Sequence, residues 1–344
     1  MPVKRSKTKE IVFTGILLWF AVVCAALVGE VALRLMGYKG APESLIANIR
    51  AVDDSVLNWR YLPDSEVHVG RVRKKYNKMG FRDSDHSVEK VPGVKRVVVV
   101  GDSVTEASDV EWEAVFSARV QAGLGSSYEV ITLAMGGLNT PQEIHLFEKE
   151  GLAYKPDLVI LNFVLNDADF YTEYNATKRY QAEKDSVVGV LGLSINPAFK
   201  RTLKSSALVY FLKQRFEHAM GRLLGKEEIG YFDGLWGKPE NRQKVTDGFD
   251  QLRVISKESS LPVLVIIWPI LTEFSHYKFA SIHQWIREEA EKRGFQTLDL
   301  LPHFAKTSYR DLQVTAEDNI HPNGLGHKIG ADAFIEWIRK RDFR

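Results

Sequence analysis

The sequence has 344 residues, 45% of them hydrophobic, and a formal net charge of +2 at pH 7. This length can bury a full core, either as one α/β domain with a large insertion or as two domains. The balanced charge gives no case for nucleic-acid binding. Because Cys24 is the single cysteine, an intramolecular disulfide and a thiolate metal cluster are excluded.

The N-terminus combines a basic tail with an apolar run. Basic residues are concentrated in 1–10, and segment 11–28 contains no charged residue. At about 1.5 Å per residue this segment reaches roughly 27 Å, close to the hydrocarbon thickness of a bilayer. We predict a cytoplasmic tail at 1–10 and a single transmembrane anchor at 11–28 in the inner or plasma membrane, with the remainder periplasmic or extracellular. A cleavable signal peptide is the alternative, although no small-x-small site closes the run.

Segment 29–94 follows the anchor and is predicted to be a juxtamembrane, β-rich piece that wraps the main domain. It contains a basic cluster, Arg71, Arg73, Lys74 and Lys75. Such a cluster can attract an anionic headgroup or an acidic glycan, but we expect it to be a solvated face.

From residue 95 onward the chain alternates between apolar strands and amphipathic helices. Lys95 leads into four consecutive valines, the pattern of a strand covered on both faces of a parallel sheet. Ser103 follows this strand, at the sheet edge where ligands bind in open α/β folds. The other predicted strands are Val130–Leu133, Asp157–Val164, Val263–Trp268 and Phe295–Leu300, with helices around Val120, Phe249, Ile286 and Ala333. Five such units predict a parallel sheet with helices on both faces.

A helical insertion at 168–241 interrupts this alternation. It carries an amphipathic stretch with Leu208, Leu212, Phe216 and Leu223. The stretch is compatible with a lid over the site or a face lying on the membrane, and we expect a packed helical cap.

A pair of glycines, Gly136 and Gly137, precedes a predicted helix start. Thr140 as N-cap, Pro141 at the first helical position and Glu143 three residues after the cap form a capping-box pattern. An exposed glycine N–H in such a loop can donate to a developing oxyanion. Asn166, at the end of the third predicted strand, offers a side-chain amide for the same purpose.

Asp318 stands three residues before His321, immediately ahead of the last predicted helix. At that spacing the carboxylate can fold back onto Nδ1 and leave Nε2 facing a serine. A metal pair of His321 with His327 is the alternative, but no second cluster has ligand spacing, and we expect no metal.

Four ordered blocks now resemble the SGNH hydrolases, the GDSL esterase and lipase family: Gly101-Asp102-Ser103, Gly137, Asn166-Asp167 and Asp318-x-x-His321. The resemblance covers residues 95–344 outside the insertion. It implies a three-layer α/β/α fold with a five-stranded parallel sheet of the flavodoxin-like type, here preceded by the transmembrane helix. It also implies a catalytic triad of Ser103, Asp318 and His321, and an oxyanion hole formed by Ser103, Gly137 and Asn166.

The anchor and the Asn77-x-x-Gly80-x-Arg82 stretch look like membrane-anchored bacterial members of that family. One block departs from the family pattern, because Val164 stands where a glycine is usual and so can narrow the pocket beside Asn166. Which of Gly136 and Gly137 donates is also open, with the spacing to Thr140 favouring Gly137.

The resemblance implies a serine esterase without metal or organic cofactor. We expect it to remove acetyl or other short acyl groups from an extracytoplasmic glycan or lipid. An O-acetyltransferase acting on an envelope or exopolysaccharide, a long-chain lipase and a non-catalytic glycan-binding protein are the alternatives. The substrate is then an acylated small molecule, glycan or lipid, the membrane is contacted through residues 11–28, and no protein partner is indicated.

Overall fold

The computed structural model describes residues 7–36, 38, 48–57, 59–69, 72–107, 109–169, 203, 205–223, 228–315 and 318–341. Residues 1–6 of the predicted tail, and 170–202, 204 and 224–227 of the predicted insertion, lie outside these ranges. The described α-helices are α1 (Lys7–Leu35), α2 (Ser103–Glu106), α3 (Phe116–Leu124), α4 (Thr140–Leu146), α5 (Ala207–Leu223), α6 (Glu228–Trp236), α7 (Pro239–Ser259), α8 (Ala280–Lys292), α9 (Leu301–Phe304) and α10 (Gly324–Lys340). The strands are β1 (Ile49–Ala51), β2 (Trp59–Tyr61), β3 (Glu66–Val69), β4 (Val72–Lys75), β5 (Lys95–Gly101), β6 (Tyr128–Ala134), β7 (Leu158–Phe163), β8 (Val263–Ile267) and β9 (Gln296–Asp299).

The chain divides into two compact units, and the first comprises Met1–Ser44 with Ser186–Gly225. Within α1, the stretch Ile11–Leu35 has a mean hydropathy of 2.7 and is long and apolar enough to cross a membrane, a property that it shares with signal sequences. Glu30 of α1 accepts hydrogen bonds from the Ala207 and Leu208 N–H groups at 3.1 and 2.8 Å. This carboxylate therefore caps the N-terminus of α5. The lid, membrane-face and helical-cap interpretations of that helix stay predictions.

The second unit, Leu45–Asp185 with Lys226–Arg344, contains the main sheet. Its strand order is β6-β5-β7-β8-β9, and each neighbouring pair is parallel. Packing of α3 on α10, and of α7 on α4 and α8, supplies helices to the two faces. Residues Val97–Val100 of β5 are at most 1% exposed, because a central parallel strand is covered on both sides. The five predicted strands and the α/β class are confirmed.

Two small antiparallel sheets precede the main sheet in this unit. In the first, β1 pairs with β2, and in the second, β3 pairs with β4. Side chains of β4 alternate between buried and exposed positions, as expected for a strand with one covered face. Val72 and Lys74 therefore occupy the buried face, while Arg73 and Lys75 are exposed.

The predicted capping box is displaced by one residue. Asn139, not Thr140, is the N-cap of α4: its side chain accepts the Gln142 N–H, and the Gln142 side chain accepts the Asn139 N–H. The Thr140 hydroxyl instead lies 3.5 Å from the carbonyl of Asp167. Glu143 is therefore the fourth residue after the N-cap and not the third, and it takes no part in the capping box. Its side chain is fully buried.

Candidate active site

The predicted site residues come from the carboxyl ends of two central strands. Ser103 follows β5, and Asn166 follows β7, which lies beside β5 in the sheet. After β5 the chain adds β6 on one side of the sheet, and it then crosses back to add β7, β8 and β9 on the other side of β5. A crevice opens where the strand order reverses, which is between β5 and β7. The topology thus places Ser103 and Asn166 at the point where open α/β folds bind their ligands.

A chain of two hydrogen bonds runs from Asp318 to Ser103. The carboxylate of Asp318 lies 2.8 Å from Nδ1 of His321, and Nε2 of His321 lies 2.9 Å from Oγ of Ser103. The Asp318 carboxylate also accepts the backbone N–H of His321 at 2.8 Å. These contacts fix the imidazole so that Nδ1 carries the proton and Nε2 faces the serine hydroxyl.

The charges of this pair are mutually stabilised. Burial opposes the charged form of His321, but the hydrogen bond and charge of Asp318 outweigh it and raise the pKa of His321 above its usual 6.5. Burial likewise opposes the charge of Asp318. Hydrogen bonds from the His321 side chain and from two backbone N–H groups nevertheless lower the pKa of that carboxyl.

Asp102 organises the other side of Ser103. Its Oδ1 accepts the Val104 N–H at 2.8 Å and so caps α2, the helix that Ser103 begins. Its Oδ2 accepts a hydrogen bond from Nδ2 of Asn166 at 2.7 Å and lies 3.3 Å from Oγ of Ser103. An amide Nδ2 carries two hydrogens. Asp102 therefore fixes the orientation of Asn166 with one of them.

The turn that carries Asn166 is closed by the buried carboxyl group of Asp167. Oδ2 of Asp167 accepts the Val164 N–H at 2.8 Å, which closes the turn after β7. Burial, together with the charges of Glu143 and Asp102, raises the pKa of Asp167 well above its usual range. Val164 has an extended backbone (φ −120°, ψ 154°) and no exposed side-chain surface. The missing glycine is thus accommodated by directing the valine side chain into the core.

The two loop glycines have different surroundings. The N–H of Gly136 donates to Oε2 of Glu106 at 2.9 Å, and a β-carbon at Gly136 would lie 3.7 Å from Cβ of Ser103. Gly137 is exposed and has φ +80°, a conformation that favours glycine. The N–H of Gly136 is thus engaged by Glu106, and the oxyanion contact of Gly137 stays a prediction.

The structure also places His327 and corrects the expectation for Lys74. His327, considered above as a metal partner of His321, is fully buried, accepts the Phe116 N–H at Nδ1, and has its pKa lowered to about 3 by burial. Lys74, expected on a solvated face, has 0% exposure and lies 2.7 Å from Oε1 of Glu106. Arg73 of the same cluster is exposed and pairs with Glu66.

Sequence reasoning did not predict the burial or the role of the residues that surround α2. The guanidinium of Arg82 donates to the carbonyls of Glu106, Ala107 and Val110, which holds Ala107 at φ +60°, an unfavourable angle for a non-glycine residue. Lys74 could have been found, because strict alternation from Val72 places it on the apolar face of β4. Glu106 gave no comparable local signal.

The sequence matches a known protein family. A model of the GDSL-like lipase/acylhydrolase family matches residues 99–329, a range that contains Ser103, Gly137, Asn166, Asp318 and His321. No curated protein matches the sequence.

Solved structures with a similar fold include TesA, with 12% identity, a TM-score of 0.44, and 72% of this chain and 99% of that chain covered. An acetyl xylan esterase, AlAXEase, has 17% identity and a TM-score of 0.42, with 71% of this chain and 99% of that chain covered. LAE5, an alpha/beta hydrolase from the metagenome of Lake Arreo, Spain, has 14% identity and a TM-score of 0.43, with 70% and 94% covered.

Proposed function

The chain belongs to the GDSL-like lipase/acylhydrolase family, also called the SGNH hydrolases, and from this membership we propose that Ser103 is its nucleophile, with His321 as general base. The chain is an ester hydrolase of that type. The observation that carries the assignment of residues is the pair of hydrogen bonds, 2.8 and 2.9 Å long, that joins Asp318, His321 and Ser103.

The proposed reaction has two acyl-transfer steps. Nε2 of His321 takes the proton from Oγ of Ser103 as Oγ attacks the ester carbonyl. The N–H groups of Ser103 and Gly137 and the amide of Asn166 hold the negative oxygen of the tetrahedral intermediate. His321 then returns the proton to the leaving alcohol, and water, activated by the same imidazole, releases the acyl group as a carboxylic acid.

We propose acetyl or another short acyl group as the part removed, from a glycan or lipid outside the cytoplasm. The test is hydrolysis of nitrophenyl acetate and palmitate by the full-length protein in detergent, together with labelling by a fluorophosphonate. Faster turnover of the acetate is expected, and a single adduct on Ser103. Preference for palmitate would indicate a long-chain lipase, and an unlabelled but folded protein would support the glycan-binding alternative.

Two controls make this test specific. Ser103→Ala should lose the adduct and the hydrolysis while keeping the melting temperature, since Ser103 is only partly buried. Adding sugar acceptors to the acetate reaction separates hydrolysis from transfer. An O-acetylated sugar formed in preference to free acetate would identify an O-acetyltransferase.

We also propose that α1 is retained as an anchor with its N-terminus in the cytoplasm. The support is the length and apolarity of Ile11–Leu35 and the basic residues that precede it. Protease added to spheroplasts that produce the protein should digest the catalytic unit and spare a tag at residue 1. Protection of the catalytic unit would reverse the orientation, and release of a soluble unit without protease would indicate signal cleavage.

A further inference from the structure

A buried carboxylate joins the end of α2 to the glycine loop and to the small sheets that precede the main domain. Oε1 of Glu106 accepts hydrogen bonds from Nζ of Lys74 at 2.7 Å and from the hydroxyl of Tyr76 at 2.8 Å. Oε2 accepts the hydroxyl of Tyr61 at 2.8 Å and the N–H of Gly136 at 2.9 Å. Glu106 is 2% exposed and Lys74 is 0% exposed, so the three side-chain contacts are shielded from water, whereas the contact with Gly136 is partly buried.

Stability alone is a poor explanation for this arrangement. Removing a lysine and a glutamate from water carries a large dehydration cost, and their attraction recovers that cost only when the geometry is good. Apolar residues of similar volume often stabilise such a position equally well or better. Here every donor converges on one carboxylate, and one of the donors belongs to the glycine loop. The arrangement therefore points to a need for defined loop geometry.

The position of Gly136 links this carboxylate to the chemistry. Gly136 is close to Ser103, and its neighbour Gly137 is the proposed oxyanion donor. A carboxylate that fixes the N–H of Gly136 sets the start of the loop, and thereby the direction of the next N–H. Because Glu106 also ends the helix that Ser103 begins, the same residue fixes the nucleophile relative to the loop.

We propose that Glu106 is a positioning residue: it acts through Gly136 to hold the Gly137 N–H where the oxyanion develops, and Lys74 neutralises its buried charge. This inference rests on the proposed function of Ser103. It assigns a role in the active site to the small sheets, since the strands β2 and β4 supply Tyr61 and Lys74.

Glu106→Gln tests the proposal with little change in volume. All four neighbours of the carboxylate are donors, whereas a glutamine offers one acceptor oxygen and one NH₂ group. The ammonium of Lys74 attracts the amide oxygen of the glutamine to the position of Oε1, so the NH₂ group takes the position of Oε2. There it faces the N–H of Gly136, and the two donors displace the loop. We expect kcat to fall about 10- to 100-fold, the cost of small misplacements in active sites, while KM changes less than about threefold because ground-state binding does not use the oxyanion contact.

The readout specific to positioning is the affinity for a trifluoromethyl ketone, which forms an oxyanion when the serine adds to it. Its dissociation constant should rise by the same factor as kcat/KM falls. A folded Glu106→Gln protein with the wild-type kcat, or with lower kcat but undiminished ketone affinity, would overturn the proposal.

Two tyrosines provide a comparison that leaves both buried charges in place. Tyr61→Phe removes the hydroxyl that donates to Oε2, the oxygen that holds Gly136, and that itself lies 3.4 Å from the backbone nitrogen of Gly136. Tyr76→Phe removes the hydroxyl that donates to Oε1. Both hydroxyls lie 2.8 Å from Glu106, and both side chains are buried. The loss of kcat should be clearly larger for Tyr61→Phe at similar losses of melting temperature. Equal losses of kcat would contradict the proposal, including in the case that Glu106→Gln does not fold.

Ser103→Ala, assayed in parallel, separates the two levels of inference. An active Ser103→Ala protein would refute the proposed function itself. An inactive Ser103→Ala protein together with fully active Glu106→Gln and Tyr61→Phe proteins would refute only the positioning role.

Discussion

His321→Ala is expected to lower kcat by about six orders of magnitude, the typical loss when the base of a serine triad is removed. No other described group lies within hydrogen-bond distance of Ser103 Oγ except Asp102, at 3.3 Å. Asp102 is a poor substitute because its Oδ2 is already engaged by Asn166. The measurement is kcat on a short acyl ester, with circular dichroism to show that the fold is retained.

The matched control is His276→Ala, which removes an exposed histidine and should leave kcat within about twofold, as surface substitutions usually do. An esterase activity that survives His321→Ala at more than about one part in a thousand would contradict the assignment of His321 as base.

The pH profile provides a second readout of the same pair. The neutral imidazole is the active form, so kcat/KM should fall as the pH drops through the pKa of His321, which Asp318 holds above 6.5. Asp318→Asn removes the carboxylate that raises the pKa of His321, so the lowering of this pKa by burial is no longer outweighed. The midpoint of the acid limb should then move to lower pH, and kcat should fall about 10⁴-fold because the tautomer is no longer fixed. An unchanged midpoint would show that Asp318 does not set the pKa of His321.

The sheet and the position of Ser103 at its edge could be predicted because their signals are local. A buried parallel strand requires β-branched residues without polar alternation, and Val97–Val100 satisfy this within one short window. Asp318 and His321 are three residues apart, so one turn of backbone brings the carboxylate to Nδ1. The pairing of His321 with Ser103 joins residues far apart in the sequence, so no local pattern predicts it. It was predicted from the order of the four family blocks.

The network around Glu106 could not be predicted in the same way. Its members lie in three separate segments, and the partners of Glu106 are 30 to 45 residues away in sequence. A basic cluster is usually solvated, and only the partner carboxylate makes the burial of Lys74 tolerable. The family match begins at residue 99 and so excludes β2 and β4. A fragment beginning at Lys95 would lack Tyr61, Lys74 and Tyr76.

Asn166→Ala is expected to lower kcat by about 100- to 1,000-fold, or roughly 3–4 kcal/mol of transition-state stabilisation. The Nδ2 group donates one hydrogen to Asp102 at 2.7 Å, which aims the amide without consuming its second hydrogen. The contact to the oxyanion is made only as charge develops, so KM should change little. Steady-state kinetics on a short acyl ester provide both constants.

Asn166 has two roles in this geometry, and the test must separate them. If it acted only by orienting Asp102, the alanine variant would lose kcat without losing affinity for a trifluoromethyl ketone. As an oxyanion donor it should lose both by the same factor. Asn241→Ala is the matched control, because the buried Asn241 also donates through Nδ2, to the Leu235 carbonyl at 2.9 Å. That variant should lose stability but not kcat, since α7 supplies no residue to the hydrogen-bond chain from Asp318 to Ser103.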